Sequence, residues 1–188
     1  MRLNQLLANC HTHFKIENEK NQLVIGISAH SKEIKKNYIF SVVNGQKYNG
    51  ANFINNLKDI TNVVLILNKN IILSDYTSNK IQEKFVRIYT EDVVLLSGEI
   101  ASLLYKNKPK SIVAVTGTNG KSSVADFYYQ ILNMNKISVA FIGTLGIISK
   151  KYRRKTNLTS IDPLNLHKTL QILKNKKIDN IILEASSI

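Results

Sequence analysis

The spacing of apolar residues changes partway along the chain. Between residues 23 and 89 they fall into short β-type runs at 23–27, 38–43, 63–67 and 85–89, separated by polar turns such as Asn44-Gly45 and Asn49-Gly50. One helix is expected after Gly50, which makes this stretch a small α/β domain. From Asp92 onward the period lengthens. Val93, Leu95, Leu96, Ile100, Leu103 and Leu104 recur at helical spacing, and Pro109 marks the end of that helix. Residues 111–116 then form a β-branched run without alternation, the pattern of a strand buried on both faces. A glycine loop, a helix over 121–134 and a strand over 137–142 follow. Asp162-Pro163 starts another helix, continued by Leu164, Leu166, Leu170 and Leu173, before a strand at 178–183. Alternating strands and helices predict a parallel sheet with crossover helices.

The expected division is a first domain at 1–90 and a second at 91–188. The final strand is followed by only a few residues, so the second domain is expected to be incomplete. The chain is 44% hydrophobic, enough for packed cores rather than disorder. Its single cysteine, Cys10, excludes an internal disulfide, and no Cys/His cluster has zinc spacing. Asn4, Gln5 and Asn9 interrupt the N-terminal apolar run, which argues against a signal peptide, and no run approaches membrane-spanning length. The expected location is cytoplasmic, with no membrane partner.

A formal net charge of +13 raises the question of nucleic acid. The lysines are spread along the chain, with short clusters at 32–36, 150–155 and 174–177, and no nucleic-acid-binding motif accompanies them. An anionic small substrate is the expected partner instead.

The most informative motif is Thr116-Gly117-Thr118-Asn119-Gly120-Lys121-Ser122-Ser123, between a strand and a helix. Glycines allow backbone N–H groups to curl around phosphate oxygens, and the helix adds its positive end. Lys121 is placed to reach the β- and γ-phosphates of ATP, and Ser122 to put a hydroxyl on Mg²⁺. The general phosphate-loop pattern has a glycine five places before Gly120, where this chain has Val115, so the loop is a variant. Glu184 ends the apolar strand 178–183 and is expected at the same sheet edge, as a second Mg²⁺ ligand. Gly143-Thr144-Leu145-Gly146 is either a tight turn or part of a site, and Asn157-Leu158-Thr159-Ser160 either supplies a helix cap or holds a ligand. His167 reads as an ordinary helix residue, and His11, His13 and His30 carry no chemistry by themselves.

The phosphate loop resembles that of the Mur ligases. Gly143-Thr144-Leu145-Gly146, Leu158-Thr159-Ser160-Ile161-Asp162-Pro163 and Glu184-Ala185-Ser186-Ser187 resemble, in order, motifs of the branch that adds the third peptide residue to a UDP-linked cell-wall precursor. In the first domain, His30-Ser31-Lys32, Phe40, Gly45, Asn49-Gly50 and Phe53 resemble the uridine-binding pattern Asp-Ser-Arg … Phe … Gly-x-x-x-Asp-Gly, with His30, Lys32 and Asn49 substituted. The resemblance implies a small N-terminal α/β uridine-binding domain followed by an incomplete parallel-sheet phosphate-loop domain. It implies ATP-dependent amide ligation in peptidoglycan synthesis. The D-glutamyl carboxylate of UDP-N-acetylmuramoyl-L-alanyl-D-glutamate is phosphorylated, and the acyl phosphate is attacked by meso-diaminopimelate or lysine. Lys121, Ser122 and Glu184 then serve ATP and Mg²⁺. Thr159, Ser160 and Ser186 hold the muramoyl dipeptide, and Ala29, Ser31, Gln46, Lys47 and Tyr48 hold the uridine nucleotide.

The family's motif continues with a histidine where this chain has Ile188, and its amino-acid-binding domain lies further on. The chain alone is therefore expected to be inactive, with a complementing downstream fragment as one possible partner. The competing readings are another phosphate-loop ATPase or kinase, and a non-catalytic nucleotide-binding remnant.

Overall fold

The computed structural model describes residues 1–45, 49–155 and 162–185. The expectations for Gln46, Lys47, Tyr48, Thr159, Ser160 and Ser186 lie outside these residues. The protein is a mixed α/β structure with two five-stranded sheets, and it divides into Met1–Leu104 and Tyr105–Ile188.

The first unit contains α1 (Leu3–Leu7), β1 (Phe14–Glu17), β2 (Gly26–Ser28), β3 (Tyr38–Ser41), β4 (Val64–Asn68), α2 (Asn79–Gln82), β5 (Val86–Thr90) and α3 (Val93–Leu104). Sheet order is β1-β5-β4-β3-β2, parallel except for the antiparallel edge strand β1. The helix expected after Gly50 is a 3₁₀ helix, Gly50–Leu57. Its Ala51, Ile54 and Leu57 cluster with Phe40, Leu65 and Leu67 on one face of the sheet. Side chains alternate along a strand, so Ile39, Val64 and Ile66 point to the other face. There α3 packs, with a buried hydroxyl pair between Ser41 and Ser97 at 2.7 Å. This packing places α3 with the first sheet, within the unit Met1–Leu104. The helical spacing of 93–104 gave the element but not which sheet it covers.

The second unit contains β6 (Ser111–Val115), α4 (Lys121–Met134), β7 (Val139–Gly143), β8 (Gly146–Ser149), β9 (Arg153–Arg154), α5 (Pro163–Asn175) and β10 (Asn180–Glu184). Its order is β6-β10-β7-β8-β9. The first three are parallel, and β8 and β9 extend the sheet antiparallel. As the sequence suggested, Asp162 caps α5, its Oδ1 accepting from the Asn165 amide at 3.0 Å, with Pro163 in the first turn. One face holds Ala140, Ile142, Ile147, Leu170, Leu173, Ile178 and Ile181. The other, under α4, is thinner, with Ala125, Phe141 and Ile182 buried and Val113, Val115 and Tyr128 packed around them.

The expectation that 111–116 is buried on both faces is corrected. Among the described residues β6 is an edge strand, with Ile112 and Ala114 exposed. Its unbroken apolar run reflects a face that the described residues leave open. On α4, Val124, Phe127, Ile131 and Met134 form an apolar stripe at helical spacing, between 54% and 79% exposed. At the opposite edge, β9 is two exposed arginines.

Candidate functional site

The loop between β6 and α4 has the backbone its glycines allow. Gly117 (φ 139°) and Gly120 (φ 78°) adopt left-handed conformations that a side chain would strain, and Gly120 precedes the first turn of α4. Thr116 to Gly120 are exposed, which leaves this turn open to an anion. Lys121 lies along the loop, its Nζ donating to the Gly117 carbonyl at 2.6 Å and to that of Thr118 at 3.5 Å.

Glu184 reaches this loop through strand parity. β10 pairs with β7 so that Leu183 stands beside Ile142. Phe141 and Ile182 share the α4 face with Ala125. Two residues further along the two strands, Gly143 and Glu184 occupy the same face, and Ser122 lies one turn before Ala125. The result is a contact that joins three elements. The Ser122 hydroxyl donates to Oε1 of Glu184, and the Thr144 amide donates to Oε2 at 2.6 Å. Glu184 is fully buried, which is costly for a carboxylate unless it is hydrogen-bonded. Burial pushes its carboxyl up, but the Ser122 hydroxyl, the Thr144 amide and hydroxyl, and the Lys121 charge outweigh burial, and its pKa is lowered overall.

A carboxyl depressed in the folded state stabilises the fold above its unfolded value and loses that contribution as pH falls through the folded one. The wild type is thus expected to lose its thermal-stability advantage over Glu184→Gln as pH falls below about 4.5. Melting temperatures of both proteins between pH 3 and 7 (roughly the span bracketing ordinary carboxylate titration) check this. A constant difference would show that the Glu184 charge is not held by these donors.

The turn Gly143-Thr144-Leu145-Gly146 is a two-residue hairpin between β7 and β8, with Gly143 opposite Gly146. The segment is a tight turn, and it also touches Glu184. That contact escaped the sequence because nothing local ties Thr144 to a residue forty positions away. His167 is half-buried on α5 with its Nδ1 unpartnered, and burial, then Lys108, lowers its pKa. It is far in topology from the loop and has no evident role there.

In the first unit, the segments after β2 and β3 flank an open cleft of about 800 Å³ lined by Ala29, His30, Ser31, Lys32, Glu33, Val43, Gly45, Gly50 and Phe53. It lies at the carboxyl ends of parallel strands, the usual edge for ligands. Ser28 Oγ accepts from the His30 amide at 3.0 Å and donates to Glu33 at 2.9 Å, which fixes the turn carrying Ala29 and Ser31. Gly50 is required by close approach, since a Cβ there would sit 2.8 Å from the Val43 carbonyl oxygen. Asn49 caps the 3₁₀ helix, accepting from the Ala51 amide at 2.9 Å, and donates to the Tyr76 hydroxyl at 3.0 Å. The first of these bonds is open to an aspartate as well, and the second uses the amide.

Among the described residues no cluster of three His, Cys, Asp or Glu side chains exists to hold a metal. Ser122 and Glu184 supply two hard oxygens beside the phosphate loop, which suits an ion that keeps waters and phosphate oxygens for its other positions.

Comparison with known proteins follows the same lines. Residues 115–188 match the Mur ligase middle domain. Over 172 residues the chain is 34% identical to a UDP-N-acetylmuramoyl-L-alanyl-D-glutamate--2,6-diaminopimelate ligase of Rickettsia typhi, covering 89% of this chain and 33% of that one. The ligase of the same name from Zymomonas mobilis is 30% identical, with 90% and 33% covered. The chain thus spans about a third of the length of the curated relatives it matches. A solved structure of a ligase of that name superposes with a TM-score of 0.66 at 22% identity, covering 88% of this chain and 32% of the other. A MurF ligase from Thermotoga maritima in complex with ADP gives 0.52 at 21% identity, covering 89% and 33%. At these identities the superpositions speak to the fold.

Proposed function

On the premise that residues 115–188 are a Mur ligase middle domain, we propose that the chain is the nucleotide- and precursor-binding part of a ligase that adds diaminopimelate or lysine to UDP-N-acetylmuramoyl-L-alanyl-D-glutamate. The observation that carries this reading is the joining of Ser122, at the phosphate loop, to Glu184 and Thr144. It brings together three motifs separate in sequence, which supports their joint handling of a metal-bound triphosphate. The relatives' names supply the substrates.

In this reading Thr116 to Ser123 wrap the phosphates of ATP with backbone N–H groups, and Lys121 leaves the Gly117 carbonyl to meet the β- and γ-phosphates. Ser122 and Glu184 would hold Mg²⁺, which supplies charge neutralisation for the transferred phosphoryl group. Phosphorylation makes the D-glutamyl carboxylate an acyl phosphate with a good leaving group, which an amine then attacks. The protein's contribution is positioning. Thr159, Ser160 and Ser186 would hold the muramoyl dipeptide. Ala29 and Ser31 at the first unit's cleft and, by resemblance, Gln46, Lys47 and Tyr48 would hold the uridine nucleotide. The cleft's lining carries one lysine, Lys32, to meet a diphosphate, beside Glu33, which is engaged by the Ser28 hydroxyl.

Adding the UDP-linked muramoyl dipeptide is expected to shift amide NMR signals near Ser31 and at residues 46–48. Shifts confined to residues 116–123 would remove the first unit from precursor binding. A simple phosphate-loop ATPase would bind ATP and show no response to the UDP precursor.

A further inference from the structure

We propose that the Gly143-Thr144 turn is a positioning element that sets the Glu184 carboxylate, so that Glu184 and Ser122 present themselves to Mg²⁺ as one preset pair. The proposal rests on the phosphate-loop reading above and adds to it two residues that contact neither nucleotide nor metal in that reading. Two features of the turn act together. Gly143 lacks a side chain on the α4 face of the sheet, where the Glu184 carboxylate lies across the end of β7. A Cβ built there collides with Oε2 of Glu184 and sits 2.8 Å from its Cδ. Thr144 then donates its amide to that same oxygen at 2.6 Å. The first feature admits the carboxylate and the second fixes its rotation, which turns Oε1 toward the Ser122 hydroxyl.

The hairpin supplies the rigidity. Gly143 faces Gly146 across two residues, and Gly146 itself (φ 100°) is confined, since a Cβ there would sit 2.5 Å from the Arg154 carbonyl oxygen. The turn is thus held from β9 on one side and aims an N–H at Glu184 on the other. Outer groups that orient a metal-binding carboxylate in this way typically change metal affinity about 10- to 100-fold when altered.

One competing explanation is testable. The same built Cβ lies 2.8 Å from Cζ of Phe141, so a substitution at Gly143 also presses on the core. Shortening Phe141 separates the two, because Phe141→Leu removes Cζ and leaves the Glu184 carboxylate in place. The experiment compares wild type, Gly143→Ala, Phe141→Leu and the double variant. One readout, taken without nucleotide, is the Thr144 amide proton shift. The other is the gain in ATP affinity on adding Mg²⁺, by calorimetry.

In wild type the Thr144 amide should lie downfield. Gly143→Ala should move it upfield and reduce the Mg²⁺-dependent gain by at least about tenfold, while leaving metal-free ATP affinity within a factor of about two (an additive, uncoupled site). The double variant should stay as impaired as Gly143→Ala in both. An unchanged Thr144 shift and Mg²⁺ gain in Gly143→Ala overturns the proposal. So does a double variant that regains the wild-type shift and Mg²⁺ gain, which assigns the effect to Phe141. If wild type binds no ATP, the phosphate-loop reading fails on its own, and the Thr144 shifts still decide whether the turn sets Glu184.

Discussion

Replacing Lys121 with alanine is expected to lower ATP affinity by about 10- to 100-fold. A hydrogen bond to a charged group contributes roughly 1.5–3 kcal/mol, and each ~1.4 kcal/mol is tenfold in affinity. In the free loop the ammonium rests on the Gly117 and Thr118 carbonyls, so binding exchanges neutral oxygens for anionic ones. The exchange requires no backbone change, because the loop glycines already hold their left-handed conformations. Calorimetric titration of wild type and Lys121→Ala with ATP measures the difference. Equal affinities would take the phosphates away from this loop and leave Gly120-Lys121-Ser122 as a simple helix start.

Phe141→Ala is expected to destabilise the second unit by about 3–5 kcal/mol. A unit of this size has a total stability of only about 4–13 kcal/mol, at roughly 0.05–0.15 kcal/mol per residue. Phe141 is fully buried and belongs to the small cluster with Ala125 and Ile182 that seats α4 on the sheet. Losing it leaves the phosphate-loop helix with little beneath it. The contrast is Phe127→Ala on the exposed side of the same helix, where a change within about 0.5 kcal/mol is expected. Chemical denaturation followed by hydrogen exchange at β7 and β10 compares the two. Equal costs would mean that the exposed stripe of α4 is packed in solution and that its seat on the sheet is not the main support.

Much of this fold was legible from residue spacing. Strands β3, β4 and β5 and the helix 121–134 lie within a residue or two of where the apolar pattern put them, because central strands and amphipathic helices carry their burial in their sequence, while β2 falls at Gly26–Ser28 rather than 23–27. The elements that escaped have weaker local signals. β1 is a short edge strand with charges at Lys15 and Glu17, and β9 is only two arginines. Both exist because a neighbouring strand offers a pairing edge. The run 111–116 misled in another way. Apolar residues on both faces say that a strand could be covered, while neighbours decide whether it is. At the site, Lys121, Ser122 and Glu184 were readable as individual chemistries next to a strand end. The hydrogen bond from Thr144 to Glu184 was not, since it follows from the order of strands in the sheet.

The second sheet has two chemically unequal edges. At one edge, β9 is itself Arg153 and Arg154, whose charges discourage another strand from adding. Beyond β6 there is no such guard among the described residues, and Ile112 is 43% exposed along it. Continuous strand-by-strand polymerisation needs two edges that accept each other, as in a head-to-tail stack. This sheet offers one acceptor and one repellent, so its valence for edge pairing is one. Among the described residues, edge pairing through β6 would therefore stop at one partner, because the arginine edge discourages the next strand.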